Sequence, residues 1–171
     1  MEKNTQKILK PVTRNICVNV TSRQVWKLIS RPSNLESFHP FCKSNPVETW
    51  PGVGSIDYVN YYNSLSYQRV FTNWIEGVGY DLNIGKLNGK RSNVSWRISQ
   101  RNASTSELTI TIHPHGVDKY PQFLESIIST FYIQPMLRKY LTSVLKGLRW
   151  FLISGEPVQK NQFGKHRWFS D

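Results

Sequence analysis

The residues with chemical capacity are few, and they lie apart in the sequence. His39 sits in Phe38-His-Pro-Phe-Cys42, where an imidazole could act as a general acid or base; a hydrogen-bonded structural histidine is the plainer reading. His39 with Cys42 could also form a nucleophile pair or half a metal site. Zinc takes three or four ligands, however, and Cys17, His113 and His115 offer no matching spacing, so no metal is expected. His113 and His115 flank Pro114 at a strand exit and are weak candidates. No glycine-rich phosphate loop, serine nucleophile elbow or framed carboxylate pair appears, and Asp and Glu total only 11. The chain is poorly supplied for acid–base catalysis, no cofactor is expected, and no catalytic residue is assigned.

The more informative constellation emerges once strands are laid against one another. From Gly54 to Pro114 strand follows strand, with turns at Asn63-Ser64, Glu76-Gly77, Asn88-Gly89 and Asn102–Thr105. Side chains alternate faces along a strand, so reflection across each turn sorts them. About Glu76-Gly77, Arg69 pairs with Ile84, Phe71 with Leu82 and Asn73 with Tyr80; about an Asn63–Ser66 loop, Asn60 falls opposite Arg69 and Tyr58 opposite Phe71. One face then collects Tyr58, Asn60, Arg69, Phe71, Asn73, Tyr80, Leu82, Trp96, Ile98, Leu108, Ile110 and Ile112. Asp57, Gln68, Thr72, Asp81 and Arg97 fall on the wet face. A guanidinium among aromatics is costly to bury unpaired. Either Arg69 anchors a ligand oxygen in an apolar pocket, with Asn60 and Asn73 beside it, or a bulge turns it outward. The expected ligand-binding set is Tyr58, Asn60, Arg69, Phe71, Asn73, Tyr80 and Trp96, with His39 near the cavity mouth. Trp26, Trp74, Trp96 and Trp150 are expected in the core or the cavity wall.

Other elements must hold that face. Residues 13–20 alternate as a half-buried strand, and Thr21 with Gln24 forms a capping box for a helix carrying Val25, Trp26, Leu28 and Ile29. The last third reads as helix, with Asp118 as N-cap, Pro121 in its first turn, and an apolar stripe from Leu124 through Phe131, Leu137 and Leu141 to Leu152. Unbroken from 119 to 154, it would run about 54 Å at about 1.5 Å per residue, too long for the domain. Pro135 is therefore expected to bend or interrupt it. Residues 1–12 read as a polar segment, 13–157 as the domain, and 158–171 as a basic, aromatic tail lying irregularly on the surface.

The chain has 171 residues, 39% of them hydrophobic, and a net charge of +11. That suits one domain with a real core. The charge would attract polyanions, but Lys and Arg are scattered, with only mild clusters such as Lys3-Lys7-Lys10-Arg14, so a solvated basic surface is preferred to nucleic-acid recognition. No secretory signal, membrane-spanning stretch or disulfide framework is visible, which places the protein in the cytoplasm by default and leaves its oligomeric state open.

The order strand, two short helices, antiparallel meander and long amphipathic helix resembles the START-like helix-grip fold of the SRPBCC superfamily. The resemblance covers about residues 13 to 155. It rests on Val20-Thr-Ser-Arg-Gln-Val-Trp-Lys-Leu-Ile29, Trp50-Pro-Gly-Val-Gly-Ser55 and Ile75-Glu-Gly-Val-Gly-Tyr80. The ending Gly155-Glu-Pro-Val158 with Asn161-Gln-Phe-Gly164 is similar to that of uncharacterised bacterial members. The resemblance implies an α+β fold, a twisted antiparallel sheet wrapped around a long C-terminal helix with a cavity between them. It also implies an apolar or amphipathic small-molecule ligand, lipid- or polyketide-like. It supplies no reaction. The alternatives are a polyketide cyclase/dehydratase-like enzyme using the same cavity and, more weakly, a module for anionic partners such as RNA or a membrane surface.

Overall fold

The computed structural model describes residues 9–116 and 122–171. The expected N-cap Asp118, Pro121 and the basic cluster Lys3–Lys7 lie outside the described residues.

β1 (Val12–Val18) buries Val12 and Val18 and leads into α1 (Ser22–Ile29). The Thr21 capping box forms at the N-terminus of α1, which turns Val25, Trp26, Leu28 and Ile29 inward. A short α2 (Leu35–Phe38) follows, then two brief strands, β2 (Cys42–Ser44) and β3 (Val47–Thr49). The meander is β4 (Ile56–Tyr61), β5 (Ser66–Ile75), β6 (Gly79–Gly85), β7 (Arg91–Asn102) and β8 (Thr105–His113). Among the described residues these strands form one antiparallel sheet in the order β1-β8-β7-β6-β5-β4-β2, with β3 also on β4. The chain ends in α3 (Gln122–Ile128), a π-helical turn (Ser129–Ile133) and α4 (Gln134–Ser154), then an irregular tail. α4 packs against β1 and α2 and closes the concave face of the sheet. The architecture is the expected α+β helix grip.

The later strands face as expected: Val94, Trp96 and Ile98 of β7 and Leu108, Ile110 and Ile112 of β8 are buried. Two local features change the earlier ones. The β4–β5 connection is a three-residue loop in which Ser64 adopts φ 67° and Tyr61 N–H bonds Leu65 O at 2.8 Å. That loop sets Asp57 opposite Arg69 and Val59 opposite Tyr67, an odd-numbered slip from the expected pairing. The slip flips the whole of β4. Asp57, Val59 and Tyr61 point inward, and Tyr58 and Asn60 point outward. Between Phe71 and Asn73 the β5–β6 ladder shifts by one residue, a bulge at Thr72. Upstream of it Arg69 faces Ile84 as expected. Downstream, Trp74 takes the place beside Tyr80, and Asn73 turns out to donate to Asp81 at 3.0 Å.

Pro135 acts within one turn, as expected. Lacking an N–H for the carbonyl of Phe131, it stands two residues past the π-helical turn, where the register of bonding widens. This shift rotates α3 relative to the stripe read from the sequence. Glu125 and Ser129 are buried, whereas Ile127 and Phe131 are 51% and 78% exposed. The inward stripe begins only at Leu137 and runs through Leu141, Val144, Leu145 and Leu148; Trp150 is exposed rather than in the core.

One contact sets the spacing of α4 from α2. Gly147 lies so near the Phe38 carbonyl that a Cβ on it would stand 2.0 Å from that oxygen. The tail also departs from expectation. Val158 N–H bonds Ser37 O at 3.0 Å and Asn161 N–H bonds Pro40 O at 2.9 Å. These bonds carry the chain back to the core, where His166 is 1% and Phe169 6% exposed.

Candidate functional site

Between the sheet and α4 lies a cavity of about 110 Å³. Its wall is apolar for the most part, with Leu82, Val94, Trp96 and Ile110 from the sheet, Leu137, Leu141 and Val144 from α4, and Phe169 from the tail. Pockets for drug-sized ligands run roughly 300–1,000 Å³. The space therefore suits a compact, single-ring or short-chain body.

Polar groups gather on one side. His39, directly after α2, is 4% exposed, and its Nε2 meets the Tyr140 hydroxyl on α4 at 2.8 Å. The Tyr140 hydroxyl lies 3.3 Å from that of Tyr61 on β4. The Phe41 N–H donates to His39 Nδ1 at 3.3 Å. Burial, aided by the nearby Arg69 charge, pushes the His39 pKa down to about 3. The ring is therefore neutral at physiological pH. Burial also raises both phenols, Tyr140 to about 12, so both stay protonated.

Arg69 lines the same cavity and is paired. Its Nε donates to Asp57 Oδ1 at 2.6 Å and its Nη2 to Asp57 Oδ2, a side-on bidentate bridge with both residues buried. Burial works against the guanidinium charge, and the Asp57 carboxylate more than restores it. Arg69 thus points inward without being a free cation.

The expected site residues divide accordingly. His39, Arg69 and Trp96 line the cavity. Phe71 and Tyr80 are buried beside it, in an aromatic cluster with Trp26, Trp50 and Trp74 whose ring centroids lie 5.0 to 6.4 Å apart. The Tyr80 hydroxyl lies in the field of Arg69 without a well-aligned hydrogen bond. Tyr58, Asn60 and Asn73 are corrected to the outer face. Tyr58 donates to Glu48 at 2.8 Å, and Asn60 borders a shallow polar depression with Lys43 and Ser44. Cys42 is not a thiolate nucleophile: burial raises its thiol to about 12, and it donates to Ser44 O. His115 meets the hydroxyl of Ser92, a residue of the cavity lining, at 3.1 Å. Among the described residues no three His, Cys, Asp or Glu side chains cluster as a metal site, and no helix is long and apolar enough to cross a membrane.

The sequence reading missed Asp57, Tyr61, Tyr140 and Phe169. Tyr140 carried a signal, because it falls between Leu137 and Leu141 on the buried stripe. Asp57 and Tyr61 carried one only for a three-residue loop.

No family model matches the chain, and no curated protein does. Its fold has relatives among solved structures. DynU16, of the dynemicin biosynthetic locus, superposes with a TM-score of 0.66 at 14% identity over 88% of this chain. The chain spans about half, 51%, of the length of DynU16. Norcoclaurine synthase from Thalictrum, a point mutant in complex with a transition-state analogue, gives 0.63 at 11% identity over 87% of this chain and 98% of its own. SA2116 from Staphylococcus aureus gives 0.68 at 9% identity over 85% and 96%. These likenesses establish the fold: it is the START-like helix-grip fold.

Proposed function

We propose that this protein binds or carries a hydrophobic or amphipathic small molecule in the cavity between sheet and α4. The observation that supports it is a largely apolar space with a few convergent polar groups, His39, Tyr140, Tyr61 and Arg69, on one wall. A tightly packed core would have no need of such a combination. Two neighbours, DynU16 by its locus and norcoclaurine synthase by its bound analogue, are associated with small organic molecules and agree with this reading.

A catalytic reading, cyclase- or dehydratase-like, draws on the His39–Tyr140–Tyr61 chain, which could offer a proton to a bound oxygen. Among the described residues it finds no free base: Asp57 is held by Arg69, and His39 already has Nδ1 filled by a backbone N–H. Carriage therefore leads. Native mass spectrometry with lipid extraction, on protein purified from its own cells, tests it. The expected result is a small organic molecule bound near one per chain. Protein that is uniformly empty and gains no thermal stability from a panel of compact hydrophobic compounds would overturn the reading.

A further inference from the structure

On the polar side of the cavity the His39–Tyr140–Tyr61 chain holds more hydrogen-bond protons than acceptors, and counting them defines a missing partner. The Phe41 N–H occupies His39 Nδ1, so the neutral ring carries its proton on Nε2 and donates to the Tyr140 oxygen. Tyr140 and Tyr61 share one contact, in which only one hydroxyl donates. Nε2–H and two phenolic O–H groups make three protons, and the chain of contacts uses two. Neither hydroxyl has another protein acceptor among the described residues. One phenolic O–H at the cavity wall is left without a partner in the protein, whichever way the tyrosine pair is oriented. A buried donor in that state is destabilising until an acceptor reaches it.

Charge then selects among acceptors. The cation at the wall, Arg69, is matched one-to-one by Asp57 through a bidentate bridge. A carboxylate entering this space would leave water to meet no uncompensated positive charge, and burial of an ion on those terms is strongly unfavourable. A carbonyl or ether oxygen accepts the same hydrogen bond without that penalty. We infer that the ligand is electrically neutral and presents a carbonyl or ether oxygen to the Tyr61–Tyr140 hydroxyl pair, with its apolar body against Trp96, Leu141 and Phe169. This moves the expected contact of a ligand oxygen from Arg69 to the tyrosine pair, and it rests on the proposed cavity binding.

The test uses matched pairs on the full chain at pH 7. Aryl methyl ketones from acetophenone to 2-acetonaphthone are titrated beside the carboxylates of the same rings, benzoate and 2-naphthoate, by calorimetry and ligand-observed NMR. Each ketone should bind at least tenfold more tightly than its carboxylate. Tyr61→Phe alone leaves the Tyr140 hydroxyl free in its place. The double variant Tyr61→Phe/Tyr140→Phe, with neither phenolic proton, should therefore weaken the ketones about fivefold, the worth of one hydrogen bond, while the parent hydrocarbon binds unchanged. Carboxylates that bind as tightly as their ketones overturn the neutral-ligand inference alone. An unchanged ketone-to-hydrocarbon ratio in the double variant overturns the donor assignment. Absence of binding across the whole series overturns the cavity reading beneath both.

Discussion

Arg69 changes meaning with one neighbour. Alone on an apolar face it would be an anchor awaiting a ligand, and its replacement by Met would relieve the fold. With Asp57 buried beside it, the same replacement strands a carboxylate. Arg69→Met should therefore cost about 3–5 kcal/mol, read from urea-denaturation midpoints. The double variant Arg69→Met/Asp57→Leu should recover most of the loss, because the pair is then replaced by apolar volume rather than broken. A single variant as stable as the wild type would contradict the buried pair.

The spacing of elements is set with equal economy by Gly147. Alanine at an interior helical position usually stabilises by up to about 1 kcal/mol over glycine. Here its methyl would stand 2.0 Å from the Phe38 carbonyl, so α2 and α4 would have to separate. Gly147→Ala should instead lower stability by about 1–3 kcal/mol, seen as a fall of several degrees in a thermal melt. Because Phe38 precedes His39, and Tyr140 lies two turns before Gly147, the 2.8 Å His39–Tyr140 contact should open too. A melting temperature at or above wild type would show that the close approach does not exist. The meander, the long helix and the effect of Pro135 were legible because each rests on a strong period or a steric rule. The inward residues of β7 and β8 were legible for the same reason. Half of the candidate site was not. Tyr62-Asn63-Ser64 and Asn63–Ser66 are comparable turn sequences, and one residue of loop length decides whether Asp57 or Tyr58 faces the core. No residue type marks Thr72 as a bulge, so Asn73 and Trp74 could not be placed from pattern.

For the molecule as a whole, the buried imidazole links folding to pH. His39 titrates near 6.5 when unfolded and near 3 when folded, held down by burial and by Arg69, with the neutral phenols of Tyr140 and Tyr61 as its other close polar neighbours. Its depressed value means that the unfolded chain takes up the proton first. The stability it confers is whole above about pH 6.5 and drains away as pH falls toward 3. At pH 5 the loss should be roughly 2 kcal/mol. His115 and His166 are also lowered by burial and add to the slope, so the difference between wild type and His39→Gln in denaturation at pH 7 and pH 5 isolates the His39 part. Equal slopes in the two proteins would contradict its burial as a neutral group.

The tail gives the cavity walls of unequal stiffness. The sheet side is laced by ladders and the α4 side by helix bonds, and neither yields without wider unfolding. Phe169 belongs to neither. It is stacked 4.5 Å from Tyr61 on irregular chain, fastened by a few bonds such as Asn63 Nδ2 to Trp168 O at 2.7 Å and His166 to Met136 O at 2.9 Å. Where a guest leaves past Phe169, its traffic follows this most easily parted boundary. The residence time of a guest would then be governed less by its own affinity than by how often these last turns of chain let go, and guests of very different strength would come and go on one clock.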